Sequence, residues 1–115
     1  MTGQLIYVVD QVVLKPGCAK AFVDAYTHEY SPVARDRGMA FDRMLISPPI
    51  WFEDETNTVT ATWTVHGQAE WWKAAVKGRH DPGPARWWAK MDPMIVERSR
   101  SMAASIDDVD GLCDV

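Results

Sequence analysis

The segment Leu5–Leu14, LIYVVDQVVL, constrains this chain more than any other stretch. It is rich in β-branched residues and runs into Lys15-Pro16-Gly17, which cannot readily extend a ladder, so it predicts a strand. Both alternating sets, Ile6/Val8/Asp10/Val12 and Tyr7/Val9/Gln11/Val13, are mostly apolar. A strand of that kind has to be covered on both faces. One polar residue interrupts each set, and Asp10 and Gln11 each require a partner or a purpose.

The rest of the composition narrows what can supply the covers. At 115 residues and 13.0 kDa the chain is the size of one domain, with 47% hydrophobic and 24% charged residues. That balance builds a packed core and argues against disorder. Twelve Lys and Arg against sixteen Asp and Glu give a net charge of −4, so no basic stripe for nucleic acid or an anionic membrane is expected. No apolar run approaches the roughly 20 residues that span a bilayer, and no basic leader precedes a hydrophobic one, which points to a soluble, cytoplasmic protein. Cys18 and Cys113 are too few for a disulfide framework and lack metal-ligand spacing, so we read both as free thiols.

From Ala19 the period becomes helical, with Phe22, Tyr26, Tyr30 and Val33 on one stripe. Ser31-Pro32 is read as an N-cap and first-turn proline, which predicts an interruption near Tyr30 before Gly38 ends the helix. Met39–Ser47 and Val59–His66 alternate as strands of a hairpin, with Trp51 and Phe52 in the connection. In the second strand Val59, Ala61, Trp63 and Val65 oppose Thr60, Thr62, Thr64 and His66. A helix is expected over Gly67–Lys77, then a loop over Arg79–Pro84 and a short helix over Ala85–Met91. Ile95–Ala104 forms the last strand, with Ser99 and Ser101 opposite Arg98, Arg100 and Met102. The domain therefore spans 1–104, and 105–115 form an acidic tail.

Strand, helix, strand, strand, helices, strand is the order of an α+β ferredoxin-like split βαβ fold: a four-stranded antiparallel sheet with helices on one face. The other face then lacks a cover. A second copy of the chain is the simplest lid, giving a homodimeric α/β barrel around a cavity. The Leu14-Lys15-Pro16-Gly17 turn, the helix end Arg35-Asp36-Arg37-Gly38, the hairpin, Trp71-Trp72 and the later Trp- and Asp-Pro-rich segment carry a resemblance over residues 5–104. Together they resemble the dimeric α/β-barrel superfamily, in its NIPSNAP-like branch related to the antibiotic-biosynthesis monooxygenase and EthD groups. The resemblance implies the fold and dimerisation. It leaves activity open among monooxygenases, isomerases, lyases, cyclases and haem-degrading enzymes, and no catalytic residue carries over, because those differ between branches.

Several side chains are candidates for chemistry. Asp24 and His28 lie four apart on one helix, where a carboxylate can orient an imidazole as general base, or where the two form a solvated surface pair. Tyr26 and Tyr30 line either the core or the cavity. Thr62, with its neighbouring threonines and His66, faces either the cavity or solvent, and Tyr7 on the first strand is a further contact for substrate. His80 sits in a stiff Pro- and Gly-rich loop suited to rimming a cavity mouth, or is an ordinary loop residue. In each of the pairs Trp71-Trp72 and Trp87-Trp88 one ring can enter the core while its neighbour meets a ligand, a partner or solvent, and Trp72, Trp87 and Trp88 are taken as ligand contacts. No metal is expected: the histidines are scattered, and the acidic run from Asp107 to Gly111 lacks the downstream Glu of a calcium loop. No phosphate loop or serine-nucleophile elbow occurs. The leading expectation is a cofactor-independent enzyme of the lyase, isomerase or cyclase type, in which His, Asp or Tyr moves a proton on a hydrophobic aromatic or polyketide-like molecule. A cofactor-free or haem-linked monooxygenase and a non-catalytic ligand-binding module are the alternatives.

Overall fold

A computed structural model describes residues 5–67, 73, 76 and 82–110. The apolar segment at the start is strand β1, Leu5–Leu14, and it lies inside the sheet rather than at its rim. It pairs antiparallel with β3, Asn57–His66, on one side and with β4, Ile95–Ala104, on the other. The second strand, β2, Ala40–Ser47, adds to β3, which gives the order β2-β3-β1-β4. This is the α+β ferredoxin-like sheet that the element order implied.

One face of the sheet carries the core. Along β1 the residues Ile6, Val8, Asp10, Val12 and Leu14 are buried, whereas Tyr7, Val9 and Val13 on the other face are only half-buried and Gln11 is exposed. β3 repeats the division, with Val59, Ala61, Trp63 and Val65 at 1% exposure or less and the intervening threonines half-buried. The described helices supply the cover on the buried side, contributing Phe22, Tyr26, Tyr30, Trp87 and Trp88 to the core that holds Val12 and Trp63. Among the described residues no helix covers the opposite face.

The first helical segment shows how a proline is absorbed. Gly17, at φ 77°, turns the chain out of β1 into α1, Ala19–Ala25, and Gly38, at φ 94°, ends α2, Ser31–Asp36. Between them Tyr26–Tyr30 widen into a π-helical turn. Pro32 has no N–H to offer the preceding turn, and the helix slips by one residue instead of stopping. Ser31, expected as an N-cap, does another job: its backbone N–H and its Oγ, at 3.0 Å, both donate to the Tyr26 carbonyl.

The last described helix, α3, runs Pro82–Met91 and so begins three residues before the expected Ala85. Prolines are tolerated in a first turn, where N–H groups have no intrahelical acceptor in any case, so Pro82-Gly83-Pro84 belong to the helix rather than to a loop. Residues 79–81 and most of the expected Gly67–Lys77 helix lie outside the described residues. After β4 a short 3-10 turn, Ile106–Asp108, follows, with Ser105 Oγ accepting from the Asp107 N–H at 3.4 Å. No described helix is long and apolar enough to cross a membrane.

Candidate functional site

Asp10 answers the question that its sequence position raised. Its place in the alternation of β1 turns its side chain into the core, where it is 2% exposed. A carboxylate so placed is tolerable only when its lone pairs are filled. Arg100 is its cross-strand neighbour on β4. The guanidinium grips it as a two-pronged fork, Nε to Oδ1 at 2.6 Å and Nη2 to Oδ2 at 2.9 Å. The Tyr26 hydroxyl donates to Oδ2 at 2.9 Å and itself accepts from Trp63 Nε1 at 2.6 Å.

The network continues to Tyr30. Its phenol oxygen accepts from Arg100 Nη2 at 2.5 Å and from Arg37 Nη2, just beyond the end of α2, at 3.1 Å. Two cationic donors thus occupy the lone pairs of one oxygen, while the phenol's own proton has no acceptor among the described residues. Burial, reinforced by the Asp10 charge, pushes the Tyr26 phenol far above the ordinary tyrosine range. For Arg100 burial works to lower the pKa, but the hydrogen bond and charge of Asp10 outweigh it, so the cation is held more firmly than usual.

Aromatic rings enclose this polar line. Tyr30 lies 5.2 Å from Trp87 and 5.6 Å from Trp88, centroid to centroid, and 4.9 Å from Tyr26. Both tryptophans of α3 are buried, at 9% and 8% exposure, contrary to the expectation that only one of an adjacent pair enters the core. They manage it by facing different neighbours. Trp87 turns to the π-helical turn and donates Nε1 to Glu29 at 3.0 Å, and Trp88 lies toward β4, where the Arg98 guanidinium sits 4.4 Å above its ring. Glu29 also takes a 3.0 Å hydrogen bond from Lys90, and these two donors, Lys90 first, hold its carboxyl below the usual range.

The structure sorts the sequence-predicted residues into separate places. Tyr26, Tyr30, Trp87 and Trp88 meet on the helix side of the sheet. Asp24 and His28 are exposed on the helical surface, and His28 Nδ1 lies 2.9 Å from the backbone oxygen of Asp24 rather than from its carboxylate. Tyr7, Thr62 and His66 belong to the other face. There Thr62 Oγ1 donates to Asp42 at 2.7 Å, beside the bulge at which β2 loses register with β3. Trp72 and His80 lie outside the described residues. A groove of about 170 Å³ between β1 and β4 is lined by Gln11, Val13, Glu97, Arg98 and Ser99. Among the described residues no cluster of three or more His, Cys, Asp or Glu could hold a metal ion.

Sequence reasoning noticed Asp10 but missed Arg37 and Arg100. For Arg100 a signal existed: its place in the alternation of the last strand sets it on the face of that strand opposite Ser99 and Ser101. For Arg37 the signal was its spacing: it lies seven residues, two helical turns, after Tyr30 and so continues the stripe of Phe22, Tyr26, Tyr30 and Val33.

No protein-family model matches the chain, and no curated protein matches it in sequence. Among solved structures, two crystal structures of one Agrobacterium tumefaciens protein superpose on it. One, described as a nipsnap family protein with unknown function, gives a TM-score of 0.67 at 12% identity over 88% of this chain and 87% of that one. The other gives 0.66 at 12% identity over 85% of this chain and 90% of that one. At that identity the likeness establishes architecture, and the chain has the ferredoxin-like α+β fold of a NIPSNAP family protein.

Proposed function

We propose that the protein is a proton-transfer enzyme acting on a hydrophobic, aromatic or polyketide-like molecule, with Tyr30 as the group that exchanges the proton. The observation that carries this is the double donation from Arg37 and Arg100 to the Tyr30 oxygen, which leaves the phenol O–H unengaged among the described residues. A hydroxyl polarised by two cations can give a proton to a substrate carbonyl or enolate oxygen, and the same cations stabilise the negative charge left on the phenol. That is the requirement of isomerase, cyclase and lyase chemistry.

The other groups have supporting roles. Asp10 positions Arg100 through two hydrogen bonds, and Tyr26 with Trp63 hold Asp10 in turn. Trp87 and Trp88 form an apolar wall beside Tyr30. Arg100, whose side chain is 35% exposed, and the half-buried Arg37 are the members of the network that reach solvent. His28 is exposed on the helix surface and His66 is exposed at the end of β3, which favours the buried phenol over an imidazole as the proton-handling group.

Assembly as a homodimer is part of the same proposal. Tyr7, Val9 and Val13 lie half-buried on a sheet face that no described helix covers, and Leu45 is 57% exposed. A second copy laid on that face would bury this apolar area. Light scattering should give a dimer for the parent chain and 13.0 kDa for Val9→Arg. The catalytic test is turnover across a panel of aromatic ketones and enolisable polyketides. Tyr30→Phe should lower kcat about 100-fold or more while the protein stays folded. Full turnover in Tyr30→Phe would remove Tyr30 from the chemistry.

A further inference from the structure

We infer that Arg37 and Arg100 form an anion-binding fork beside Tyr30, and that the molecule bound there carries a carboxylate. The inference rests on the proposal above that Tyr30 meets the substrate, and it names the substrate's polar handle. Two guanidiniums converge on a single phenol oxygen, at 3.1 and 2.5 Å. Among the described residues the network holds one carboxylate, and both oxygens of Asp10 are engaged by Arg100, at 2.6 and 2.9 Å. Arg37 makes no ion pair among the described residues, and its Nε is buried with no hydrogen-bond partner.

Each of these features is unfavourable by itself. Like charges meeting at one oxygen repel, and the repulsion grows as water is excluded. A buried N–H of a cation with nothing to donate to loses its hydration without compensation. A carboxylate arriving between the two side chains would resolve both. It would balance the single excess positive charge of the cluster and give the Arg37 fork the acceptor that it lacks. A phosphate, with close to two negative charges, would leave an excess of the opposite sign in the same half-buried place. The Trp87 and Trp88 rings pack against Tyr30 and make the surroundings of the fork apolar, which suits a carboxylate carried on a hydrophobic body.

Benzoate and benzamide, which match in shape and differ in charge, separate the possibilities when titrated calorimetrically against the full chain. Benzoate should bind about tenfold or more tightly than benzamide, and its affinity should fall as sodium chloride is raised. Arg37→Gln should abolish the preference, and Arg37→Lys should restore only part of it, because an ammonium keeps the charge and loses the fork. Equal affinity for the two probes, or an unchanged preference in Arg37→Gln, overturns the anion site, as does failure of both probes to bind. Tyr30→Phe distinguishes the underlying proposal: if it weakens both probes while they bind equally, the anion site fails and Tyr30 remains at the ligand. If it affects neither, the placement of substrate at Tyr30 fails as well.

Discussion

Asp10 and Gln11 are consecutive residues of one strand, and the two faces of the sheet treat them in opposite ways. Asp10 is 2% exposed and accepts three hydrogen bonds, from Tyr26 and from both prongs of Arg100. Gln11 is exposed on the wall of a groove. A polar group on the helix-covered face loses its water and needs partners drawn from other elements, whereas on the open face solvent is sufficient. The covered face therefore admits polarity only as a completed network, and the proposed chemistry is drawn from that network.

The largest expected effect tests this contrast directly. Asp10→Ala leaves the Tyr26 hydroxyl and the Arg100 guanidinium without their acceptor, and should lower the unfolding free energy by about 3 kcal/mol in urea titrations. Gln11→Ala should stay within about 0.5 kcal/mol. Similar losses at the two positions would break the comparison. The adjacent valines sharpen it in apolar terms. Val12, at 1% exposure, should cost about 2 kcal/mol on conversion to Ala. Val13→Ala should cost far less at low protein concentration and, if the proposed dimer forms, more as concentration rises, because that dimer would cover Val13.

Alkaline titration comes next in size. Burial raises the Tyr26 pKa in the folded state, so below pH of about 10 both states keep the proton and stability does not respond. Above that the unfolded chain releases a proton that the folded chain retains, and stability falls as pH rises. The slope from this group approaches about 1.4 kcal/mol per pH unit, and Tyr26→Phe should remove that increment from the alkaline limb. The smallest effect lies at the acid end. Glu29, with its pKa lowered by Lys90 and then by Trp87, adds stability above the ordinary carboxylate range that is lost as pH falls through its lowered value. Glu29→Gln should flatten that part of the profile slightly.

Much of the fold was legible because periodicity reports the faces of strands and helices. β1 and β4 run over Leu5–Leu14 and Ile95–Ala104 as read from the sequence, and the helix-facing set of β3 is the one containing Trp63. Local chemistry was less reliable where two rules competed. Ser31-Pro32 suits a cap, yet packing of Tyr26 and Tyr30 against the sheet carried the helix through it as a π-helical turn. Pro82-Gly83-Pro84 suits a loop, yet it opens α3. Trp87 and Trp88 both found burial because α3 has neighbours on more than one side.

What the sequence by itself determined is the alternation: both faces of β1 are mostly apolar, and the one charge on it must be answered from elsewhere in the chain. Which groups answer that charge was decided only in three dimensions. Arg100 lies ninety positions from Asp10 and Tyr26 sixteen. A one-dimensional pattern records which way a side chain points, because that follows from backbone geometry repeated at each residue. It does not record what the side chain meets, because that depends on strand register and on where helices end against the sheet. Register set Arg100 opposite Asp10, and the packing of the helices on the sheet set Tyr26 against the same carboxylate.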